Sequence, residues 1–248
     1  NMMKPVYINA ANAVFPGTEV CYKDVIRDAN MRRRMSRIVK MGVASALECL
    51  RSPEGDDYIV PDAIITASAL GCLADTEKFL SEMIARDENM LNPTAFIQST
   101  YNTVGAQIAL INRIRSYNMV YVHGGCSFDA ALTDALMCVS EGRSKVLLEA
   151  FDEITPSSRT LLERLGCFSE GSEGAVSFLV SDSPAQSGAV EICDVLFHGN
   201  ASVRKPMNLS IDSAISLYDA VLSLAGNSSA DVRIVLEFPV ITLTLRGI

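Results

Sequence analysis

A predicted strand runs directly into a predicted helix in the stretch Met119-Val120-Tyr121-Val122-His123-Gly124-Gly125-Cys126-Ser127. Apolar, β-branched and aromatic residues at its start are typical of a buried strand. The helix is expected from Ser127 to about Glu141, with Gly142 ending it. A residue at the join lies at the helix N-terminus, where the macrodipole and free backbone N–H groups favour an anion. The stretch therefore predicts a strand–turn–helix unit that presents Cys126 at a helix N-terminus.

Cys126 is the candidate nucleophile of this turn. The helix N-terminus is expected to lower the pKa of its thiol, and two nearby backbone N–H groups would serve as an oxyanion hole. His123 lies just before the turn and is expected to contact the same pocket. The alternative is a buried structural cysteine, and the residues alone leave both interpretations open.

Strands and helices alternate along the rest of the chain. Strands are predicted at residues 6–8, 63–67, 119–122, 145–150, 174–180, 189–197, 232–236 and 243–248. Helices are predicted at residues 31–50, 74–90, 102–115, 127–141 and 211–224. Asp75 is expected to cap the second helix, and the strands at 174–180 and 189–197 are expected to pair. This alternation predicts an α/β fold in which helices cover a largely buried mixed sheet.

Composition and charge argue against several classes of function. The 248 residues carry a net charge of −8, whereas a protein that binds nucleic acid needs a surplus of Lys and Arg on one face. The dense basic run at residues 32–37 falls in a helical pattern, which favours a solvated helix face or an ion-pair cluster. No apolar run approaches the ~20 residues of a membrane helix, so no membrane association is expected.

The cysteines predict neither a metal site nor a disulfide framework. The seven cysteines are scattered and contain no CxxC pair. The first residues lack the apolar segment of a signal peptide. We therefore expect reduced thiols in a cytoplasmic protein that needs no metal and no cofactor.

An ordered set of motifs resembles the first half of the β-ketoacyl-acyl-carrier-protein synthases. The main matches are Asn92-Pro93-Thr94-Ala95-Phe96, Asn102 with Gly105, Tyr117-Asn118-Met119-Val120 and Cys126-Ser127. Supporting matches are Arg33-Arg34-Met35-Ser36-Arg37, Leu70-Gly71-Cys72-Leu73, Ala150-Phe151-Asp152-Glu153 and Gly171-Ser172-Glu173-Gly174-Ala175. Together they span about residues 6–180, and the ketosynthase-like proteins of aryl-polyene and flexirubin pigment clusters are the most similar. The resemblance implies a thiolase-like fold, acyl thioesters on an acyl carrier protein as substrates, and dimers that pair across the sheet edge.

The first departure from the family pattern concerns the nucleophile. In the family, the nucleophilic cysteine follows the Asn of the strand by about seven positions and precedes the helix-ending Gly by about seventeen. Counting from Asn118 and from Gly142 both lead to Gly125, not Cys126. Glycine has no side chain to attack a thioester, and a shift of one residue turns a helical side chain by about 100°.

The second departure concerns the acid–base groups. The resemblance implies two histidines and a lysine in the second half of the fold, whereas the chain has only His123 and His198. His198 is expected in a loop. Where the first family histidine should follow its strand, the chain has Phe238 or Pro239.

The chain is expected to form a single ketosynthase-like domain over residues 1–248, with residues 210–248 resembling the start of the family's second half. Half a thiolase-type fold would expose apolar surface. We therefore expect a homodimer or a heterodimer with a full-length ketosynthase.

Three hypotheses follow for the function. In the first, the chain is a non-catalytic subunit of chain-length-factor type that pairs with an active synthase and shapes its acyl pocket. In the second, it is a condensing or acyl-transfer enzyme that uses Cys126 with His123 nearby. In the third, it is the N-terminal domain of a longer synthase, although its final residues have the pattern of a finishing strand.

The predicted substrate-binding residues are Asn102, Gly124, Gly125, Ser127 and Phe128. The acidic net charge suggests that the carrier protein meets the partner and not this chain, and the candidate exceptions are Arg113, Arg115 and Arg143.

Overall fold

The structure is a computed structural model that describes residues 5–55, 57–198, 209–226 and 232–248. Its strands are β1 (Val6–Val14), β2 (Ala63–Ala67), β3 (Tyr117–Tyr121), β4 (Lys145–Asp152), β5 (Gly174–Ser181), β6 (Val190–Phe197), β7 (Arg233–Glu237) and β8 (Ile241–Gly247). Its helices are α1 (Tyr22–Val25), α2 (Ala29–Arg34), α3 (Arg37–Cys49), α4 (Leu73–Ala85), α5 (Pro93–Ser99), α6 (Thr103–Ile111), α7 (Ser127–Ser140), α8 (Pro156–Arg164) and α9 (Ser210–Ala225). The predicted α/β class is confirmed.

The described strands form one mixed sheet in the order β3-β2-β4-β5-β1-β6-β8-β7. β2 lies parallel to both β3 and β4, and the other pairs are antiparallel. The two edges of the sheet are therefore β3 and β7. Residues from both ends of the described chain share this sheet, because β1 pairs with β6 and β6 pairs with β8.

Helices cover both faces of the sheet, as the sequence predicted. Buried residues of α7 and α9 pack on one face, and buried residues of α3 and α6 pack on the other. In β2, Ala63, Ile65 and Ala67 belong to the first core, whereas Ile64 belongs to the second. β2 is therefore buried on both faces, which is why its sequence does not alternate between apolar and charged residues.

The helix predicted over residues 31–50 is two helices. Asp28 caps α2 by accepting the backbone N–H groups of Asn30 and Met31 at 2.8 and 3.0 Å. The backbone then becomes extended at Met35 and Ser36 before α3 starts. The basic run crosses this break, and Arg37 forms ion pairs with Glu173 and, at 3.8 Å, with Glu153.

Asp75 does not cap α4. The helix starts two residues earlier, with Cys72 at the cap position, and the Ala74 N–H donates to the Glu153 carboxylate at 3.0 Å. The carboxylate of Glu153, which directly follows β4, thus replaces the local cap that the sequence suggested, since a distant side chain can satisfy the same orphan N–H.

The expected pairing of the strands at 174–180 and 189–197 is wrong. β1 lies between β5 and β6 and pairs with both. The sequence also failed to predict α5 and α8, which begin at Pro93 and Pro156. In each case the proline occupies the first turn of the helix, where its missing N–H has no intrahelical partner to lose.

One buried carboxyl group has no hydrogen bond in the described structure. Glu149 on β4 is fully buried, and neither of its oxygens has a partner. It lies against α3, where a Cβ added at Gly42 would be 3.0 Å from one of its oxygens. Burial raises the pKa of Glu149 well above its usual value, because desolvation disfavours the charged form of the carboxyl.

Candidate active site

The turn between β3 and α7 has the strand–turn–helix geometry that the sequence predicted. β3 ends at Tyr121, Cys126 is the N-cap of α7, and Gly124 adopts a positive φ of 58°. The Cys126 N–H donates to the His123 carbonyl at 3.2 Å, and the Ser127 N–H donates to the Gly124 carbonyl at 3.1 Å. These two N–H groups are therefore engaged in hydrogen bonds within the turn itself.

Two of the predicted substrate-binding side chains are enclosed. The Ser127 hydroxyl accepts the His123 N–H at 2.7 Å, and it lies 2.7 Å from the Gly124 carbonyl and 3.0 Å from the Ser68 carbonyl. Phe128 is fully buried, and its ring packs on Phe178 with the centroids 6.0 Å apart. Both side chains therefore hold the turn in place.

The environment of Cys126 differs from the expectation of an activated thiol. The residue is half-buried, and burial raises the pKa of its thiol, with a further increase from the Asp129 carboxylate. This direction is opposite to the predicted effect of the helix N-terminus. His123 is exposed, and among the described residues its ring has no hydrogen-bond partner. The structure thus places Cys126 and His123 in one turn without joining thiol to imidazole.

The loop between β7 and β8 reaches the first turn of α7. The Val240 N–H donates to the Asp129 carboxylate at 2.8 Å, and the Phe238 ring packs edge-on against Phe128 with the centroids 6.2 Å apart. Asp129 is buried, one of its oxygens has no partner, and burial raises its pKa to about 6. Sequence reasoning missed Asp129. An acidic residue within the predicted apolar helix was the available signal.

A second missed residue ties the neighbouring turns together. Asp152 at the end of β4 is fully buried and accepts the Ser68 hydroxyl and the Ala69 and Leu70 N–H groups at 2.8 to 2.9 Å. Its other oxygen accepts the Ile211 N–H at 3.2 Å. Desolvation raises its pKa to about 6, while these hydrogen bonds oppose the increase. Asp152 therefore links β4 and the turn after β2 to the start of α9.

Asn102 lies in a groove that the turn residues do not line. This groove of about 710 Å³ runs between α6 and the edge strand β3, and it includes Asn102, Ala106, Leu110, Asn118, Met119 and Val120. The helix approaches the strand closely because Gly105 has no side chain, and its carbonyl accepts the Asn118 side-chain amide at 3.0 Å.

The three arginines considered for carrier binding have different surroundings. Arg113 and Arg115 are exposed and line the end of the groove. Arg143 stacks over the Tyr117 ring at 4.9 Å and lies 3.4 Å from Glu141.

His198, expected in a loop, follows β6 directly, and its ring shares a 2.7 Å hydrogen bond with the Thr242 hydroxyl. In the described parts of the chain, no helix is both long and apolar enough to cross a membrane.

The sequence matches a known protein family over most of the chain. Residues 24–203 match the family model described as the β-ketoacyl synthase N-terminal domain. Among curated proteins, no sequence matches the chain.

Three solved structures are similar in fold. The first is the ketosynthase ApeO in complex with its chain length factor ApeC from Xenorhabdus doucetiae, with a TM-score of 0.68 and 19% identity over 98% of this chain and 99% of that chain. The second is the ishigamide ketosynthase/chain length factor, with a TM-score of 0.78 and 11% identity over 98% and 99%. The third is the complex AntDE:AntF, a type II polyketide synthase acyl carrier protein with its ketosynthase bound to the hexaketide, with a TM-score of 0.77 and 13% identity over 99% and 100%. The predicted thiolase-like fold is confirmed.

Proposed function

Because the chain belongs to the β-ketoacyl synthase family, we propose that it is a non-catalytic subunit of chain-length-factor type that pairs with a full-length ketosynthase. One observation carries this proposal: the segment after β7 brings the Phe238 ring onto Phe128, at the start of α7. The family resemblance expects a histidine at this point of the chain. An aromatic hydrocarbon ring supplies no proton and stabilises no oxyanion.

The surroundings of Cys126 support the same proposal. A catalytic thiol needs an adjacent base or a lowered pKa. Here burial and the Asp129 carboxylate both raise the pKa of the Cys126 thiol, and the His123 ring is not bonded to it. In this proposal the partner ketosynthase supplies the nucleophile, and this chain supplies a surface that binds the partner.

The sheet edge at β3 offers the surface for that partner. β3 pairs only with β2 among the described strands, so its other side is free to accept a strand. Met119 is exposed there and lines the groove beside α6. The similar ApeO–ApeC and ishigamide structures are complexes of a ketosynthase with a chain length factor, which supports a heterodimer for this chain too.

We further propose that the acyl chain on the partner meets this subunit near the groove. Phe96 and Ile97 on α5 are 53% and 56% exposed, and α5 leads into Asn102 and α6. Exposed apolar side chains of this size fit a hydrocarbon chain carried as a thioester. Gly124 and Gly125, which are half-buried, would form the wall of the pocket nearest to Cys126. The acyl carrier protein would reach it mainly through the ketosynthase.

The same proposal takes residues 1–248 as one domain. The part from residue 210 onward joins the common sheet through the β6–β8 pair and fixes α7 through the Asp129–Val240 hydrogen bond. We propose that these residues complete the hydrophobic core that a half-fold would leave open.

Co-purification with a full-length ketosynthase tests the proposal. We expect the wild-type chain to form a complex that carries out acyl extension. Met119→Arg should lose the complex, because a charge at the β3 edge would be buried without a partner. Leu161→Arg on α8 is the matched control, since Leu161 is similarly exposed but lies on a helix outside the groove. Cys126→Ala should leave the rate of extension unchanged. Failure of the wild-type chain to bind, or loss of extension in Cys126→Ala, would refute the proposal.

A further inference from the structure

The edge strand β7 has a self-complementary sequence. It lies at the opposite edge of the sheet from β3, and among the described strands it pairs only with β8. Its residues are Arg233-Ile234-Val235-Leu236-Glu237. A basic residue begins the strand, an acidic residue ends it, and three apolar residues lie between them.

The charge on Arg233 is not balanced within the described sheet. The β7–β8 register places Arg233 directly opposite Arg246. Arg246 is already paired with Glu191 on β6, with its Nε 3.1 Å from the carboxylate. Arg233 and Glu237 are exposed, and neither forms an ion pair within the described residues. Like charges directly opposite each other on a sheet are unfavourable, so an additional acidic group beside Arg233 would be stabilising.

A second copy of β7 would supply that group. If two β7 strands pair antiparallel about Val235, Arg233 of each copy lies opposite Glu237 of the other. Ile234 then lies opposite Leu236, and Val235 lies opposite Val235. Every position meets a residue that complements it, as a twofold symmetric interface requires.

The apolar residues of β7 favour the same arrangement. Val235 is 59% exposed on the outer face. Ile234 and Leu236 are half-buried at the rim of the core formed by β8 and α9. Pairing of two copies would extend this apolar row across the interface. Ile234, Val235 and Leu236 would each lose contact with water on the side that faces the second copy.

We propose that two copies of this chain join through antiparallel pairing of their β7 strands, which makes one continuous sheet across the pair. β3 remains free in this assembly. A ketosynthase subunit on each β3 would therefore give an assembly with two copies of each chain. The inference does not depend on the proposed function.

Charge reversal tests the pairing in the full chain. Sedimentation velocity across micromolar to millimolar concentrations should show a reversible monomer–dimer equilibrium for the wild-type chain. Arg233→Glu or Glu237→Arg turns both symmetry-related pairs into like-charge pairs, so each should raise the dimer Kd about tenfold or more. The double variant Arg233→Glu/Glu237→Arg should restore the wild-type Kd. Both side chains are exposed, so circular dichroism should be unchanged.

The alternatives give different results. A wild-type chain that stays monomeric, or a double variant as weak as the singles, overturns the proposal. Met119→Arg is the control for self-association through β3. If Met119→Arg abolishes the dimer while the β7 variants do not, the pairing uses the other edge and the proposal is wrong. Ketosynthase binding by the β7 variants is measured separately, so failure of this inference is distinguishable from failure of the proposed function.

Discussion

Replacing Phe238 by alanine tests the packing that closes the start of α7. Phe238 is only 7% exposed, and its ring packs edge-on against Phe128. Removal of a buried phenylalanine ring leaves a cavity and costs about 3–5 kcal/mol of unfolding free energy. The aromatic pair itself accounts for about 0.5–1.5 kcal/mol of that loss.

Phe197→Ala provides the matched control. Phe197 carries the same side chain on β6 but is 58% exposed. Less than half of the Phe197 surface is buried, which is under about 100 Å² of a side chain of about 200 Å². At about 25 cal/mol per Å², removal of the ring lowers the unfolding free energy by about 2 kcal/mol or less. The two variants lose identical atoms, so their difference reports the burial of Phe238 alone.

Urea denaturation followed by circular dichroism measures both costs, and thermal unfolding measures the change in Tm. For a chain of this length, each kcal/mol lowers the Tm by about 2–4 °C. We therefore expect Phe238→Ala to melt about 6–20 °C below the wild-type chain. Phe238→Leu keeps most of the volume and should lose less than Phe238→Ala. If Phe238→Ala lowers the unfolding free energy no more than Phe197→Ala does, the loop after β7 does not pack on α7. The proposed function would then lose the observation on which it rests.

Three further predictions concern buried or half-buried polar groups. Burial raises the pKa of Asp129 to about 6 from its ordinary 3.8. The protonated Asp129 carboxyl therefore contributes its full stabilisation below about pH 3.8, and this contribution is lost as the pH rises through about 6. Asp129→Asn should flatten the dependence of the unfolding free energy on pH between 4 and 7, and an unchanged slope would contradict the assignment. Iodoacetamide at pH 7.5 should alkylate the exposed Cys21 before the half-buried Cys126, because burial and the Asp129 carboxylate raise the pKa of the Cys126 thiol. Peptide mass spectrometry that finds Cys126 modified first would favour the enzyme hypothesis. Glu149→Leu should raise the unfolding free energy by about 1–3 kcal/mol, because it replaces an unpartnered buried carboxyl with an apolar side chain of similar volume. A lower unfolding free energy in urea denaturation would show that the Glu149 carboxyl has a partner.

Local patterns predicted the elements well where the apolar residues follow one clear period. β2, β4 and α7 were predicted close to their observed bounds, because a buried β-branched run and a helical spacing each have one structural solution. The helix over residues 31–50 was predicted with the right face, although the break at Met35 and Ser36 was not. Met35 continues the apolar spacing of the predicted helix, so local periodicity gave no sign of the extended backbone that separates α2 from α3.

Contacts between distant parts of the chain could not be predicted. The insertion of β1 between β5 and β6 depends on pairing across more than 150 residues, which local periodicity does not encode. The environment of Cys126 has the same origin. Its position at a helix N-terminus was predicted correctly, whereas the burial that raises its pKa depends on the fold around it. The family resemblance indicated that Phe238 or Pro239 lies where a histidine is expected, and the structure shows the Phe238 ring against Phe128.

The central position of β1 has a consequence for synthesis of the chain. Of the described strands, β1 is the first to leave the ribosome, and its neighbour β5 begins roughly 160 residues later. At about 5–20 residues per second, residues 6–14 wait roughly 8–30 s before either neighbour exists. The parallel unit of β2, β3 and β4 can meanwhile assemble. During that interval Val6 and Ile8, which are buried in the finished sheet, are open to water, and we expect the nascent chain to be a client of ribosome-associated chaperones.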